Sequence, residues 1–133
     1  MRIVGYVCSH AGYPAADLAG ELGLHYSPEV VLVRLPCLGR IDVLHLLQDF
    51  RQGADAVFVA GCLEGNCHHH YGNFEAGKRV EQTRMILDSL GLDGKRIEMF
   101  HVASNQGLRF KEIADIMVER ARQLGPNPLG GSR

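Results

Sequence analysis

Four short apolar runs, each followed by a helical pattern, constrain this chain more than any other feature. "RIVGYVC" (2–8), "VVLVRLPC" (30–37) and "ADAVFVAGC" (54–62) are rich in β-branched residues, and the third is apolar on both alternations. A strand apolar on both sides is covered on both sides, as in a parallel sheet between helical layers. "KRIEMFHVAS" (95–104) is more amphipathic and reads as an edge strand. Helical patterns fill the gaps. Pro14 suits the first turn of a short helix over 14–23, and Val43, Leu44, Leu47 and Phe50 share one face of 40–52, with Gly53 to stop it. Asn73 is placed to cap a third helix through Leu90, closed by Gly91. Phe110, Ile113, Ala114, Met117, Ala121 and Leu124 keep helical spacing up to Gly125-Pro126.

Repeated strand–helix alternation predicts an α/β fold: a small flavodoxin-like or Rossmann-like three-layer arrangement with a four-stranded parallel sheet, helices on both faces and right-handed crossovers. The expected strand order is 2-1-3-4, with a switch point between strands 1 and 3. Residues 1–125 are expected to form a single α/β domain, and 126–133, "PNPLGGSR", a flexible tail. The chain has 133 residues, 46% hydrophobic and 22% charged, enough for one packed core and unlike a disordered chain. A net charge of −1 with no basic stripe argues against nucleic acid as a partner. The beginning, "MRIVGYVCSH", lacks the apolar stretch of a signal peptide, and no run is long enough to span a bilayer. The expectation is a cytoplasmic protein, where thiols stay reduced and cysteines point to metal or redox chemistry.

The four cysteines carry the chemical signal. Cys8, Cys37 and Cys62 end the first three strands, and Cys67 follows in the loop "GCLEGNCHHHYGN". The carboxyl ends of parallel strands share one edge of a sheet, where open α/β folds bind ligands. Four thiolates at one edge suit zinc or an iron–sulfur centre. Structural zinc sites usually draw on paired C-x-x-C knuckles, which are absent here. The first three helices each begin shortly after a cysteine, so their N–H groups favour negative charge at this edge, as a two-iron, two-sulfide centre would bring. Gly39, Gly61 and Gly65 allow backbone amides near the sulfurs, and Arg40 offers a compensating charge.

Other residues compete for roles. Of His68, His69 and His70, the first adjoins Cys67 and is the best partner for a ligand sulfur, and His10 is similarly placed after Cys8. His25, His45 and His101 read as structural or exposed, and Asp17 and Glu64 as capping or solvated. The alternatives are a zinc-bound or metal-free scaffold and a thiol redox protein using Cys62 and Cys67.

The blocks "VCSHAGYPAADLAG", "VVLVRLPCLGRID", "GADAVFVAGCLEGNCHHHYGNFEAGKR" and "FHVASNQGLRFKEIADIMVE" resemble the delta (iron–sulfur) subunit family of methyl-viologen-reducing hydrogenase, from about residue 3 to residue 126. The resemblance implies a [2Fe-2S] electron carrier without substrate chemistry of its own, held by Cys8, Cys37, Cys62 and Cys67. It would work between a hydrogenase or formate dehydrogenase module and a heterodisulfide-reductase-like flavoprotein. Many family members carry a further cysteine three residues after the first; here that position is Ala11, which leaves four thiols. The histidine loop and the helix start from Asn73 to Arg79, with Lys78 and Arg79, would form a docking rim for an acidic partner.

Overall fold

The structure, a computed structural model, describes residues 1–9, 11–62 and 72–130. The strands are β1 (Ile3–Cys8), β2 (Val30–Leu35), β3 (Ala56–Gly61) and β4 (Ile97–His101). The helices are α1 (Gly12–Glu21), α2 (Val43–Arg51), α3 (Gly72–Ser89) and α4 (Gly107–Leu124). The four strands form one parallel sheet in the order β2-β1-β3-β4, the expected three-layer α/β arrangement.

Alternation along the two inner strands builds two cores. Val4, Tyr6 and Cys8 of β1, with Val57 and Val59 of β3, meet Leu46 and Phe50 of α2 and Val80 and Leu87 of α3. Ile3 and Val7, with Ala56, Phe58 and Ala60, meet Ala15 and Ala16 of α1 and Phe110, Ile113 and Met117 of α4. Phe110 packs edge-on to both Phe58 and Tyr26, with ring centroids 6.3 and 5.6 Å apart, a geometry that aromatic quadrupoles favour. Both faces of β1 and β3 are therefore buried, which is why their sequences show no polar alternation.

The local expectations hold unevenly. Gly91 and Gly125 follow α3 and α4 with φ of 76° and 80°, the left-handed geometry that ends a helix without a Cβ clash. On α2 the apolar face is turned from the one expected: Leu46 and Phe50 are buried, whereas Leu44 is 73% exposed. Leu46 and Phe50 are one turn apart, while Leu44 lies about 100° round the helix from Val43; Asp42 caps the helix, its Oδ1 accepting from the N–H of Leu44 at 2.9 Å. Asn73 lies within the first turn of α3 rather than ahead of it. The stretch expected to be a tail contains an anchored residue. Asn127 is buried, donates its Nδ2 to the carbonyls of Phe50 and Ala54, and donates its N–H to Asp55 Oδ1. Arg96 is buried beside it and donates to the carbonyls of Leu92, Asp55, Leu124 and Gly125, satisfying the last turn of α4. Among the described residues no helix is long and apolar enough to cross a membrane.

Candidate metal centre

β2, β1 and β3 run side by side and all end at one edge. Cys8 is the last residue of β1 and is in register with Leu35, the last of β2; Cys37 lies two residues beyond Leu35. Val7 is in register with Ala60, so Cys62 leaves β3 beside the end of β1. The sheet register thus delivers residues far apart in sequence to one rim.

The Sγ atoms of Cys8 and Cys62 are 3.6 Å apart, and both residues are buried. A disulfide bond would place them about 2.05 Å apart. A tetrahedral ion with metal–sulfur bonds of about 2.3 Å separates two of its thiolates by about 3.8 Å. The distance is that of two thiols in contact, and it is also close to the separation of two ligands on one tetrahedral ion, so in this respect the residues fit an iron–sulfur group or zinc. Among the described residues no group of three or more His, Cys, Asp or Glu side chains is gathered to hold an ion, so Cys37 does not complete a triad with this pair. Cys67, Gly65, His68, Glu64, His10, His69 and His70 lie outside the described residues.

Backbone donors face two of the sulfurs. The N–H of Gly12, first residue of α1, points to Cys8 Sγ at 3.5 Å. Gly12 has no room for a side chain: a Cβ there would stand 2.5 Å from the carbonyl oxygen of Ala60. Its absence lets the start of α1 lie against the ends of β1 and β3. Cys37 is extended (φ −150°, ψ 137°) and opens a 3₁₀ turn, Leu38–Arg40, with its Sγ facing the N–H of Gly39 at 3.4 Å. Hydrogen bonds of this kind stabilise thiolate charge and raise the potential of a bound cluster. α2 does not contribute in the expected way, because the Asp42 carboxylate already occupies its N-terminus.

The remaining candidates separate clearly. Gly61 is buried and its carbonyl accepts from the N–H of Val102 at 2.8 Å. Arg40, Asp17, His25 and His45 are exposed. Ala11 is buried in the same apolar cluster as Cys8 and Cys62. Lys78 is exposed, with Nζ 4.5 Å from the centre of the exposed Phe74 ring. Arg79 turns inward instead of standing on a rim: its Nη1 donates to the carbonyl of Gly39 at 2.7 Å.

Two residues near the site have places that differ from the roles expected of them, His101 as structural or exposed and Arg79 as part of a docking rim. His101, in register with Gly61, places Nδ1 2.8 Å from the carbonyl oxygen of Cys62. Its position at the end of the fourth strand, on the same rim as the cysteines, was the available signal. For Arg79 there was none, since a bond from a helix to a carbonyl 40 positions away has no periodic trace.

Comparison with known proteins places the chain among its relatives. Residues 3–125 match the family described as methyl-viologen-reducing hydrogenase, delta subunit. The chain is 43% identical over 127 residues to the iron-sulfur subunit of the F420-non-reducing hydrogenase vhu from Methanococcus maripaludis, covering 96% of this chain and 95% of that one. It is 38% identical over 124 residues to the protein of the same name from Methanopyrus kandleri, covering 93% and 94%. It is also 34% identical over 124 residues to one chain of the ferredoxin:CoB-CoM heterodisulfide reductase of Methanosarcina mazei, where the match covers 93% of this chain but 16% of the longer one.

Proposed function

The chain belongs to the methyl-viologen-reducing hydrogenase delta subunit family, and on that premise we propose that it is an electron-transfer subunit holding a [2Fe-2S] centre on Cys8, Cys37, Cys62 and Cys67. The observation that carries this reading is the 3.6 Å approach of the Cys8 and Cys62 sulfurs at the carboxyl rim of the two inner strands. The relatives named as iron-sulfur subunits support an iron–sulfur group rather than zinc. When bound, such a centre takes up and releases one electron at a time.

The chain's own residues supply the setting. Cys8 and Cys62 are held by the hydrogen-bonded β1–β3 pair, and the N–H groups of Gly12 and Gly39 offer donors to sulfur. His101 steadies the carbonyl of Cys62. Burial of Cys8 and Cys62 keeps water from those sulfurs. The proposed partners are a hydrogenase or formate-dehydrogenase-type module on one side and a heterodisulfide-reductase-like flavoprotein on the other, in the cytoplasm. The match within a longer heterodisulfide reductase chain supports that second partner, because the same unit occurs inside such a chain.

The test is an anaerobic purification. The expected product is brown, carries about two irons per chain and loses visible absorption on adding dithionite. A colourless chain loaded with zinc overturns the reading in favour of a scaffold. A metal-free chain that reacts with an alkylating agent at one cysteine overturns it in favour of thiol chemistry.

A further inference from the structure

We propose that Arg79 is the positioning residue for the Cys37 turn and that it sets the reduction potential of the centre. The inference rests on the cluster reading above. Cys37 lies beyond an edge strand, at the start of a three-residue 3₁₀ turn. Turns of that length and hydrogen-bond geometry are weak alone. Leu38 anchors this one by burial on the α2/α3 face, and Arg79 of α3 anchors it by donating from Nη1 to the Gly39 carbonyl at 2.7 Å.

Gly39 is thus held from both sides. Its N–H faces Cys37 Sγ at 3.4 Å while its carbonyl is gripped by a cation. A charge-assisted bond is about twice as strong as a neutral one, so the grip fixes how the N–H addresses the sulfur. Glu75, one turn back on α3, lies 3.7 Å from Arg79 Nη2 and offsets part of its charge without occupying the same nitrogen. Reduction adds one negative charge to the centre. A donor aimed at a ligand sulfur and a cation behind it both favour the reduced form, and both therefore raise the potential. Lys78 carries the same formal charge on the adjacent residue but lies over the Phe74 ring, which makes it the natural control.

The experiment compares the anaerobically reconstituted full chain with Arg79→Gln, Arg79→Lys and Lys78→Gln. Two quantities are read: the midpoint of a dye-mediated dithionite titration, and the amide exchange of Gly39 in the metal-free chain. Arg79→Gln is expected to shift the reduction equilibrium about tenfold towards the oxidised form, which is about 59 mV lower for a one-electron couple. It is also expected to speed Gly39 exchange. Arg79→Lys keeps the charge without the planar fork, so its midpoint falls between wild type and Arg79→Gln while its exchange is faster than wild type. Lys78→Gln leaves both quantities in place.

A wild-type midpoint in Arg79→Gln overturns the proposal even if exchange quickens, because a merely structural role would do that. An equal shift in Lys78→Gln overturns it too. If Arg79→Gln does not fold, wild-type exchange in Arg79→Lys overturns it. An unsubstituted chain that takes up no iron refutes the cluster reading and the tuning with it, a result no Arg79 variant can mimic.

Discussion

The ring of Phe58 stands where a side chain on Gly5 would have to be: a Cβ built on Gly5 meets the Phe58 ring atoms at 2.3 to 2.8 Å. The two residues are in register across the β1–β3 pair, so the largest side chain of β3 fills the gap left by the smallest residue of β1. The α1/α4 core is closed in this way without crowding the sheet.

Gly5→Ala is expected to destabilise the fold by about 1–3 kcal/mol through overpacking, read as a lower urea midpoint. Gly77, inside α3, has only Met99 Sδ nearby, at 3.7 Å. Gly77→Ala is therefore expected to stabilise by about 0.5–1 kcal/mol from helix propensity alone. The two glycine substitutions should move the midpoint in opposite directions.

Cys8→Ser, Cys37→Ser and Cys62→Ser should each lose iron or sharply change the visible spectrum, whereas His45→Ala, at an exposed position of α2, should leave it intact. Full iron content and an unchanged spectrum in any one serine variant would remove that cysteine from the ligand set.

Alkaline pH gives an independent check on the α2 side of the sheet. Burial, followed by the hydrogen bond to Asp49, pushes the Tyr6 phenol well above its ordinary range. A group whose folded pKa is raised contributes stability that is complete below its unfolded value and declines as pH rises towards the folded one. The fold should thus weaken above roughly pH 10, the ordinary tyrosine value. Tyr6→Phe should flatten that limb of the urea midpoint against pH.

Asn127→Ala should cost about 1–3 kcal/mol, through loss of its two buried hydrogen bonds to the carbonyls of Phe50 and Ala54. Truncation after Gly125 should cost at least as much, seen as a lower thermal midpoint. A frayed tail would make both changes neutral.

That last case shows where sequence reasoning stopped. The strand–helix alternation, the burial of β1 and β3 and the ends of α3 and α4 follow from periodicity and from glycine placement, which act over a few residues, and the strand order is one that such an alternation commonly adopts. The anchoring of Asn127 to a loop more than 70 positions away, and the grip of Arg79 on Gly39, are side-chain bonds to distant backbone carbonyls. No spacing rule foreshadows them. Leu44 is apolar but stands about 100° round the helix from Val43, whereas Leu46 shares the side of Phe50 that faces the sheet. Three cysteines reach the expected rim because strand ends are legible, whereas which sulfurs approach one another depends on register: Cys8 and Cys62 meet, and Cys37 does not join them.

β1 and β3 are the interior strands, while Cys37 follows a strand at the margin. Interior strands exchange their amide hydrogens only when the whole fold opens, and a short marginal turn can open by itself. Cys8 and Cys62 thus lie with strands expected to open last, and Cys37 with a turn expected to open first. If these cysteines hold the proposed centre, its loading and release begin on the Cys37 side and end with the Cys8–Cys62 pair, and chelator resistance becomes a gauge of global unfolding.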